Sequence, residues 1–83
     1  MNVLYFAWVK QKVVRSEENI EHTQALRTVG DLAAMLRARG GGYAQAFGDM
    51  SRLRAALNQN HVGLDATLAA GDEVAFFPPV TGG

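Results

Sequence analysis

The amino-acid sequence predicts an α+β fold in which a mixed sheet of four or five strands packs on one main helix. Short apolar segments of strand character lie on both sides of a single capped, amphipathic helix, an order typical of layered domains. The chain has 83 residues, of which 48% are apolar and 19% are charged, as in a folded domain with a modest core. We therefore expect residues 1–83 to form one domain, with 78–83 as an extended C-terminal tail.

The N-terminal part of the chain predicts two strands. The first runs from Val3 to Lys10, where β-branched and aromatic residues follow one another. The polar stretch QKVVRSEEN is expected to form a turn or a short helix. The next segment, IEHTQAL, can supply a second, weaker strand that returns antiparallel to the first.

The main helix has the clearest boundaries in the sequence. Thr28 precedes VGDLAAMLRARG, and Asp31 follows three residues later, which predicts a capping box at the N-terminus. Apolar residues then recur at helical spacing on one face, and Gly40 supplies the stop. The run of glycines from Gly40 to Gly42 is interpreted as a helix stop with a flexible turn, and YAQAFGDM as an irregular or short helical connection.

Two further strands are predicted, Leu53–Asn58 and Glu73–Phe77, and the last is apolar on both faces. Alternation along the first predicted strand also gives two apolar faces, one with Val3, Tyr5, Ala7 and Val9 and the other with Leu4, Phe6 and Trp8. Since one helix covers only one face, we expect a partner protein to cover the second, with Phe6, Trp8 and Phe77 as docking residues. The alternative is that residues 41–52 fold over that face.

The C-terminal tail has an unusual composition for a chain end. Pro78 and Pro79 have no N–H groups, so they end the sheet ladder and stiffen the exit of the chain. Val80 and Thr81 favour extended backbone, whereas the last two residues, Gly82 and Gly83, carry no side chain. Six such residues span about 20 Å when extended. The sequence therefore predicts a tail that enters a narrow passage in another protein with its carboxylate leading.

Composition excludes several other classes of function. Acidic and basic residues balance to a formal net charge of zero, without the basic excess that nucleic-acid binding usually needs. The chain has no cysteine, and His22 and His61 lack a metal-ligand spacing. Neither a signal peptide nor a membrane helix is expected. The arginines Arg37, Arg39, Arg52 and Arg54 are interpreted as solvated, with an anionic partner as the alternative.

Four stretches carry a resemblance to a known family. The ending GDEVAFFPPVTGG, the opening VLYFA, the helix TVGDLAAMLRARG and the ALNQN strand resemble the small subunits of molybdopterin synthase, which are ubiquitin-like sulfur carriers of the β-grasp fold. The resemblance covers the whole chain, and PPVTGG is its most specific part. The chain departs from the family at Asn60 and His61, where an apolar residue is more usual.

The resemblance implies a chemistry centred on Gly83. An ATP-dependent, E1-like enzyme would adenylate its carboxylate, and a persulfide-carrying sulfurtransferase would supply sulfur to form a thiocarboxylate. The thiocarboxylate would donate sulfur to cyclic pyranopterin monophosphate to form the molybdopterin dithiolene. Gly82 would give the tail clearance. The chain would be a non-catalytic sulfur-donor subunit that binds no cofactor or metal itself, with ATP consumed by the activating enzyme.

The resemblance also implies a cytoplasmic, heterotetrameric synthase in which a large subunit binds this chain, with no nucleic acid or membrane involved. The residues implied to bind the partner are Phe6, Trp8, Phe77, Pro78, Pro79, Val80 and Thr81. It further implies that the first and last strands lie side by side and parallel. Two other functions share the activated terminus: a sulfur carrier for thiamin thiazole or tRNA thiolation, and a ubiquitin-like modifier attached to lysines.

Overall fold

A computed structural model of the protein describes residues 1–79. Its strands are β1 (Asn2–Tyr5), β2 (Glu17–Asn19), β3 (Arg54–Leu57), β4 (Asn60–Val62) and β5 (Glu73–Phe77). Its helices are α1 (Ala7–Val13), α2 (Val29–Ala38) and α3 (Gly41–Phe47), and a short 3-10 turn covers Met50–Arg52. Within residues 1–79 no helix is both long enough and apolar enough to cross a membrane.

The five strands form one mixed sheet in the order β2-β1-β5-β3-β4. The first and last strands are parallel neighbours in its centre, with Val3 opposite Val74 and Tyr5 opposite Phe76. The pairs β1–β2, β3–β5 and β3–β4 are antiparallel. The α+β class, the mixed sheet and the antiparallel first pair predicted from the sequence are therefore confirmed, and so is the parallel central pair that the family resemblance implied.

The helix α2 begins as the sequence predicts. The Thr28 hydroxyl accepts a hydrogen bond from the Asp31 amide at 3.1 Å, and the Asp31 carboxylate accepts one from the Thr28 amide at 3.1 Å. Because each side chain accepts a hydrogen bond from the backbone N–H of the other residue, the capping box fixes the first turn. The helix ends at Ala38, and Gly40 follows with a φ of 78°. Its apolar face is buried, as expected: Val29, Leu32, Ala33 and Leu36.

The predicted first strand, Val3–Lys10, is wrong beyond Tyr5. Phe6 is the N-cap of α1, which buries Val9 and Val13 one turn apart against the core. An unbroken apolar run is compatible with both a buried strand and a buried helix, and here the strand ends where its pairing with β5 ends. Ala7 and Trp8 are therefore helical, and the predicted alternation of faces stops before them.

The predicted positions of two other strands also need correction. IEHTQAL is not a strand, because β2 lies just before it and consists of polar residues paired with β1. The strand β4 was not predicted. It follows β3 after a two-residue hairpin in which Asn58 and Gln59 both have positive φ, 50° and 71°. This is the geometry of a type I′ turn, which Asn-Gly signals more clearly than Asn-Gln does.

The core lies between the helices and the inner face of the sheet, which carries Val3, Tyr5, Val74 and Phe76. The fully buried Phe47 of α3 packs edge-to-face on Phe76, with ring centroids 4.9 Å apart. Residues 41–52 therefore pack on the inner face, and the alternative that they cover the second face is wrong. Gly42 is needed in α3 for a steric reason: a Cβ atom there would overlap the Lys12 carbonyl oxygen of α1.

Candidate docking face and tail exit

The chain leaves the sheet from its central strand. β5 ends at Phe77, and the half-buried Pro78 and Pro79 follow. Because β1 runs parallel to β5, its end lies beside this point, and the Phe6 amide donates a hydrogen bond to the Phe76 carbonyl at 3.1 Å. We call Phe6, Phe77, Pro78 and Pro79 the tail exit. The other residues predicted for the tail and its chemistry lie outside the described residues: Val80, Thr81, Gly82 and Gly83.

The side of the sheet opposite the helices is apolar in its centre. Leu4, Ala75 and Ala56 lie in one row across β1, β5 and β3, and Phe77 lies next to that row. None of these four residues belongs to the core cluster. Leu4, Ala75 and Phe77 are half-buried, and Ala56 is buried. We call Leu4, Ala56, Ala75 and Phe77 the outer face. The described residues thus include an apolar sheet surface on which no helix packs its buried side chains.

The structure separates the three aromatic residues predicted to dock. Phe6 is 48% exposed, and its extended backbone continues the alternation of β1, so its side chain lies on the same side as Leu4. Phe77 is on the outer face. Trp8 instead packs against the core from α1, and the Arg52 guanidinium carbon lies 5.2 Å from its ring centroid. Trp8 therefore lies near the tail exit but not on the outer face.

Two polar residues border Phe77 that sequence reasoning did not place there. Arg54 is opposite Phe77 in the β3–β5 register. His61 of β4 has its ring centroid 5.2 Å from that of Phe77, at 63°. The missing signal was β4 itself: once the hairpin after Leu57 is recognised, alternation places His61 on the same side as Ala56, its partner across the strands. One edge of the outer face therefore carries a guanidinium and an imidazole.

A polar cluster lies at the opposite edge of the sheet, on its inner side. Glu18 of β2 accepts hydrogen bonds from the hydroxyls of Tyr5 at 2.8 Å and Tyr43 at 2.6 Å. Its other oxygen accepts one from the Arg39 guanidinium at 2.8 Å, and Arg15 lies 3.5 Å away. The Glu18 side chain is only 10% exposed. This cluster was not predicted from the sequence.

The electrostatics of the cluster follow from these contacts. Burial by itself would raise the pKa of Glu18, but the hydrogen bonds from Arg39, Tyr43 and Tyr5 outweigh burial and hold that pKa below its usual value. Burial and the neighbouring carboxylate raise the pKa of both tyrosines, so they remain hydroxyl donors. The cluster is a satisfied network joining β1, β2, α2 and α3, and its role is structural.

Together, the sheet order and the tail exit define a class: the protein is a small ubiquitin-like β-grasp domain whose central last strand leads into a proline-stiffened tail. Within that class the chain belongs to the ThiS family, whose model matches residues 3–83.

The chain is similar to known proteins over nearly the whole length of both sequences. A molybdopterin synthase sulfur carrier subunit from Escherichia coli (strain K12) is 42% identical over 83 residues, with 100% of this chain and 99% of the relative covered. A protein of the same description from Mycobacterium tuberculosis (strain H37Rv) is 34% identical, with 100% and 96% covered. A chain in a solved complex of subunits 1 and 2 of molybdopterin-converting factor from Helicobacter pylori is 25% identical, with 99% and 96% covered and a TM-score of 0.66.

Proposed function

We propose that this chain is the sulfur carrier subunit of a molybdopterin synthase. The observation that carries the proposal is the 42% identity, over the full length of both chains, to the Escherichia coli protein described by that function. The tail exit beside an apolar outer face supports it, because a carrier has to dock and extend its terminus in the same encounter. The remaining parts of the proposal concern the chemistry of Gly83 and the proteins that it meets.

Activation of Gly83 requires ATP. A carboxylate is a poor acyl donor, so an E1-like enzyme joins it to AMP with release of pyrophosphate, and AMP then serves as the leaving group. The terminal sulfur of a persulfide on a sulfurtransferase displaces AMP. A second thiol of the sulfurtransferase then attacks the resulting acyl disulfide: it forms a disulfide with the sulfur that carried the persulfide, and the thiocarboxylate on Gly83 leaves. We propose no cofactor bound by this chain, since ATP is held and consumed by the activating enzyme.

Transfer takes place in the large subunit of the synthase. The tail enters that subunit, where the Gly83 sulfur forms a bond to a side-chain carbon of cyclic pyranopterin monophosphate in place of oxygen. Water then hydrolyses the acyl–sulfur bond, which leaves the sulfur on the pterin and returns Gly83 as a carboxylate. Two such transfers complete the dithiolene. Gly82 has no side chain and so clears a narrow passage. The outer face and the tail exit dock on the large subunit, with Phe6 and Phe77 as the principal apolar contacts. The Helicobacter pylori complex, in which subunits 1 and 2 of the factor are associated, supports this pairing.

The experiment is thiocarboxylate formation followed by intact mass, with ATP, the activating enzyme and a sulfur donor present. The wild-type chain should exchange one terminal oxygen for sulfur and then convert the pterin precursor when mixed with the large subunit. Deleting Gly83 shortens the tail by about 3.3 Å and should abolish both readouts, because reacting atoms must approach within roughly 3 to 3.5 Å.

Two controls complete the design. A variant with one alanine appended after Gly83 converts the reactive carboxylate into an internal amide and should also remain unmodified at Gly83. Both tail variants should unfold at the wild-type temperature, because the changes lie beyond β5. A folded, Gly83-deleted chain that still gained sulfur and supported molybdopterin formation would contradict the proposal.

A further inference from the structure

Two arginines lie at the end of the sheet where the tail leaves. β3 runs antiparallel to β5, so the start of β3 at Arg54 lies across from Phe77. Alternation places Arg54 on the outer side, since its neighbour Ala55 is buried in the core. The guanidinium donates hydrogen bonds to the carbonyls of Leu53 at 2.8 Å and Ser51 at 3.3 Å. Arg54 is exposed, and these bonds hold its charge at the rim of the outer face.

The second arginine, Arg52, lies over an aromatic ring. It is exposed in the 3-10 turn that precedes β3, and its guanidinium carbon lies 5.2 Å from the centroid of Trp8 in the first turn of α1. Such stacking leaves the edge of the guanidinium free to donate hydrogen bonds. Both cations are thus positioned by contacts within this chain.

Neither arginine has an ion-pair partner among residues 1–79, where the ion pairs are those of Arg15 and Arg39 with Glu18. Asp49 is close enough to Arg52 for the guanidinium charge to lower the pKa of its carboxyl group. However, it accepts hydrogen bonds from the Ser51 hydroxyl at 2.6 Å and amide at 3.1 Å. Those bonds, more than Arg52, lower the pKa of Asp49. Asp49 keeps its negative charge, so two guanidinium groups and one carboxylate leave a net positive charge at the tail exit of a chain whose formal net charge is zero.

The length of the tail requires a partner to come close to these cations. Gly83, the residue at which the proposed function places the chemistry, is four residues beyond Pro79, and at about 3.3 Å each these residues reach at most about 13 Å. A cleft that holds Gly83 at its reaction centre must therefore bring its mouth close to Pro79 and so to Arg52 and Arg54. Cations that have no ion-pair partner among residues 1–79 favour an acidic mouth at that contact, because like charges would repel.

We propose that Arg52 and Arg54 form a cationic rim that pairs with carboxylates at the mouth of the tail-accepting cleft in the synthase large subunit. This inference rests on the proposed function and adds the chemistry of the partner surface to it. The outer face supplies apolar contact, whereas the rim orients the carrier so that the tail meets the cleft. Partly exposed charge pairs of this kind act mainly on the association rate and on its salt dependence.

The test measures association of the wild type, Arg52→Gln, Arg54→Gln and the double variant with the purified large subunit of the same organism, by stopped flow at about 10 mM and about 500 mM salt. At low salt, each single variant should associate about two- to fivefold more slowly, and the double variant about tenfold. High salt should bring all four rates together, because the Debye length falls from about 30 Å toward a few ångströms.

Two matched variants separate the rim from other effects. Arg37→Gln removes the same charge from α2, on the helical side of the molecule, and should associate at the wild-type rate. Arg54→Lys keeps the charge and should restore most of the rate. Equal association rates for the wild type and the double variant at low salt would overturn the proposed role of the rim. So would an Arg37→Gln variant that slows association as much as Arg52→Gln or Arg54→Gln. A wild-type chain that does not bind the large subunit would overturn the proposed function, and the rim with it.

Discussion

The side chain of Glu18 connects an edge strand to the rest of this small domain. Its strand, β2, has three residues and lies at the edge of the sheet, so its pairing with β1 supplies few hydrogen bonds. The Glu18 carboxylate adds bonds to Tyr5 on β1, Tyr43 on α3 and Arg39 beside α2. Through one residue the edge strand is therefore attached to α3, to the end of α2 and to the central strand β1.

We predict that Glu18→Gln lowers the free energy of unfolding by about 1–3 kcal/mol at pH 7, because charged hydrogen bonds are lost from a mostly buried site. The measurement is urea unfolding. Glu21→Gln, an exposed acid on the same segment, should change the free energy by less than about 0.5 kcal/mol.

The same variant has a defined pH dependence. The folded-state pKa of Glu18 lies below its usual value of 4.5, so its contribution is fully present above that value and is lost as the pH falls through the folded-state pKa. The difference between the wild type and Glu18→Gln should therefore shrink in acid. A difference that stayed constant from pH 7 to pH 3 would show that the charge of Glu18 is not what stabilises the fold.

Side-chain contacts between near neighbours could be predicted from the sequence, and those between distant residues could not. Thr28 and Asp31 are three residues apart, so their capping box has a sequence signature. The hydrogen-bond partners of Glu18 are 13 to 25 residues away, and nothing in the spacing of two tyrosines and an arginine shows that the fold brings them to one carboxylate.

At the scale of elements, helix α1 shows where pattern reasoning fails. A seven-residue helix has too few turns for its period to appear, and here it continues directly from a strand made of similar residues. By contrast, the ten-residue helix α2 carries a cap and a full apolar face, and β5 has the bounds expected from the sequence. The longer helix with a capping box, α2, could be predicted, whereas the shorter helix α1, which has no side-chain cap, could not.

The end of α1 carries an avoidable strain. Val14, its C-cap, has a φ of 62° and is 84% exposed, a conformation that a β-branched residue adopts poorly. We predict that Val14→Gly raises the free energy of unfolding by about 0.5–1 kcal/mol. Lys12→Gly, two residues earlier within the helix, should lower it by about 1 kcal/mol. Thermal melts of the two variants should therefore shift in opposite directions, and a loss of stability in Val14→Gly would contradict this account.

At the scale of the whole molecule, the sequence predicted that a second apolar face exists but not its exact membership. Phe77 was placed correctly because β5 was, and Leu4 lies on the predicted side of β1. Trp8 was misplaced with the helix, and Arg54 and His61 became part of the surface only through the register of β3 and β4. Pairing across strands is a property of the fold that a single strand sequence does not contain.

The outer face gives a prediction that concerns the assembled complex. Phe77→Asp should weaken binding to the large subunit by about 2–4 kcal/mol, since it puts a charge into an apolar contact. Calorimetry would measure it. Leu64→Asp makes a similar change at an exposed leucine next to Gly30 of α2 and should bind normally. If Phe77→Asp bound as tightly as the wild type while folded, the outer face would not be the docking surface.

The parallel pairing of β1 with β5 joins the two ends of the chain at the centre of the sheet, with Asn2 opposite Glu73. Contacts of such long sequence separation form late, because almost the whole chain has to be brought together first. A nascent chain without β5 leaves both β1 and β3 with an open edge. The strand that completes the fold is also the strand that holds the tail. The sheet is therefore complete only once β5 has been synthesised, and a partner that recognises the folded sheet binds only chains that already carry this strand.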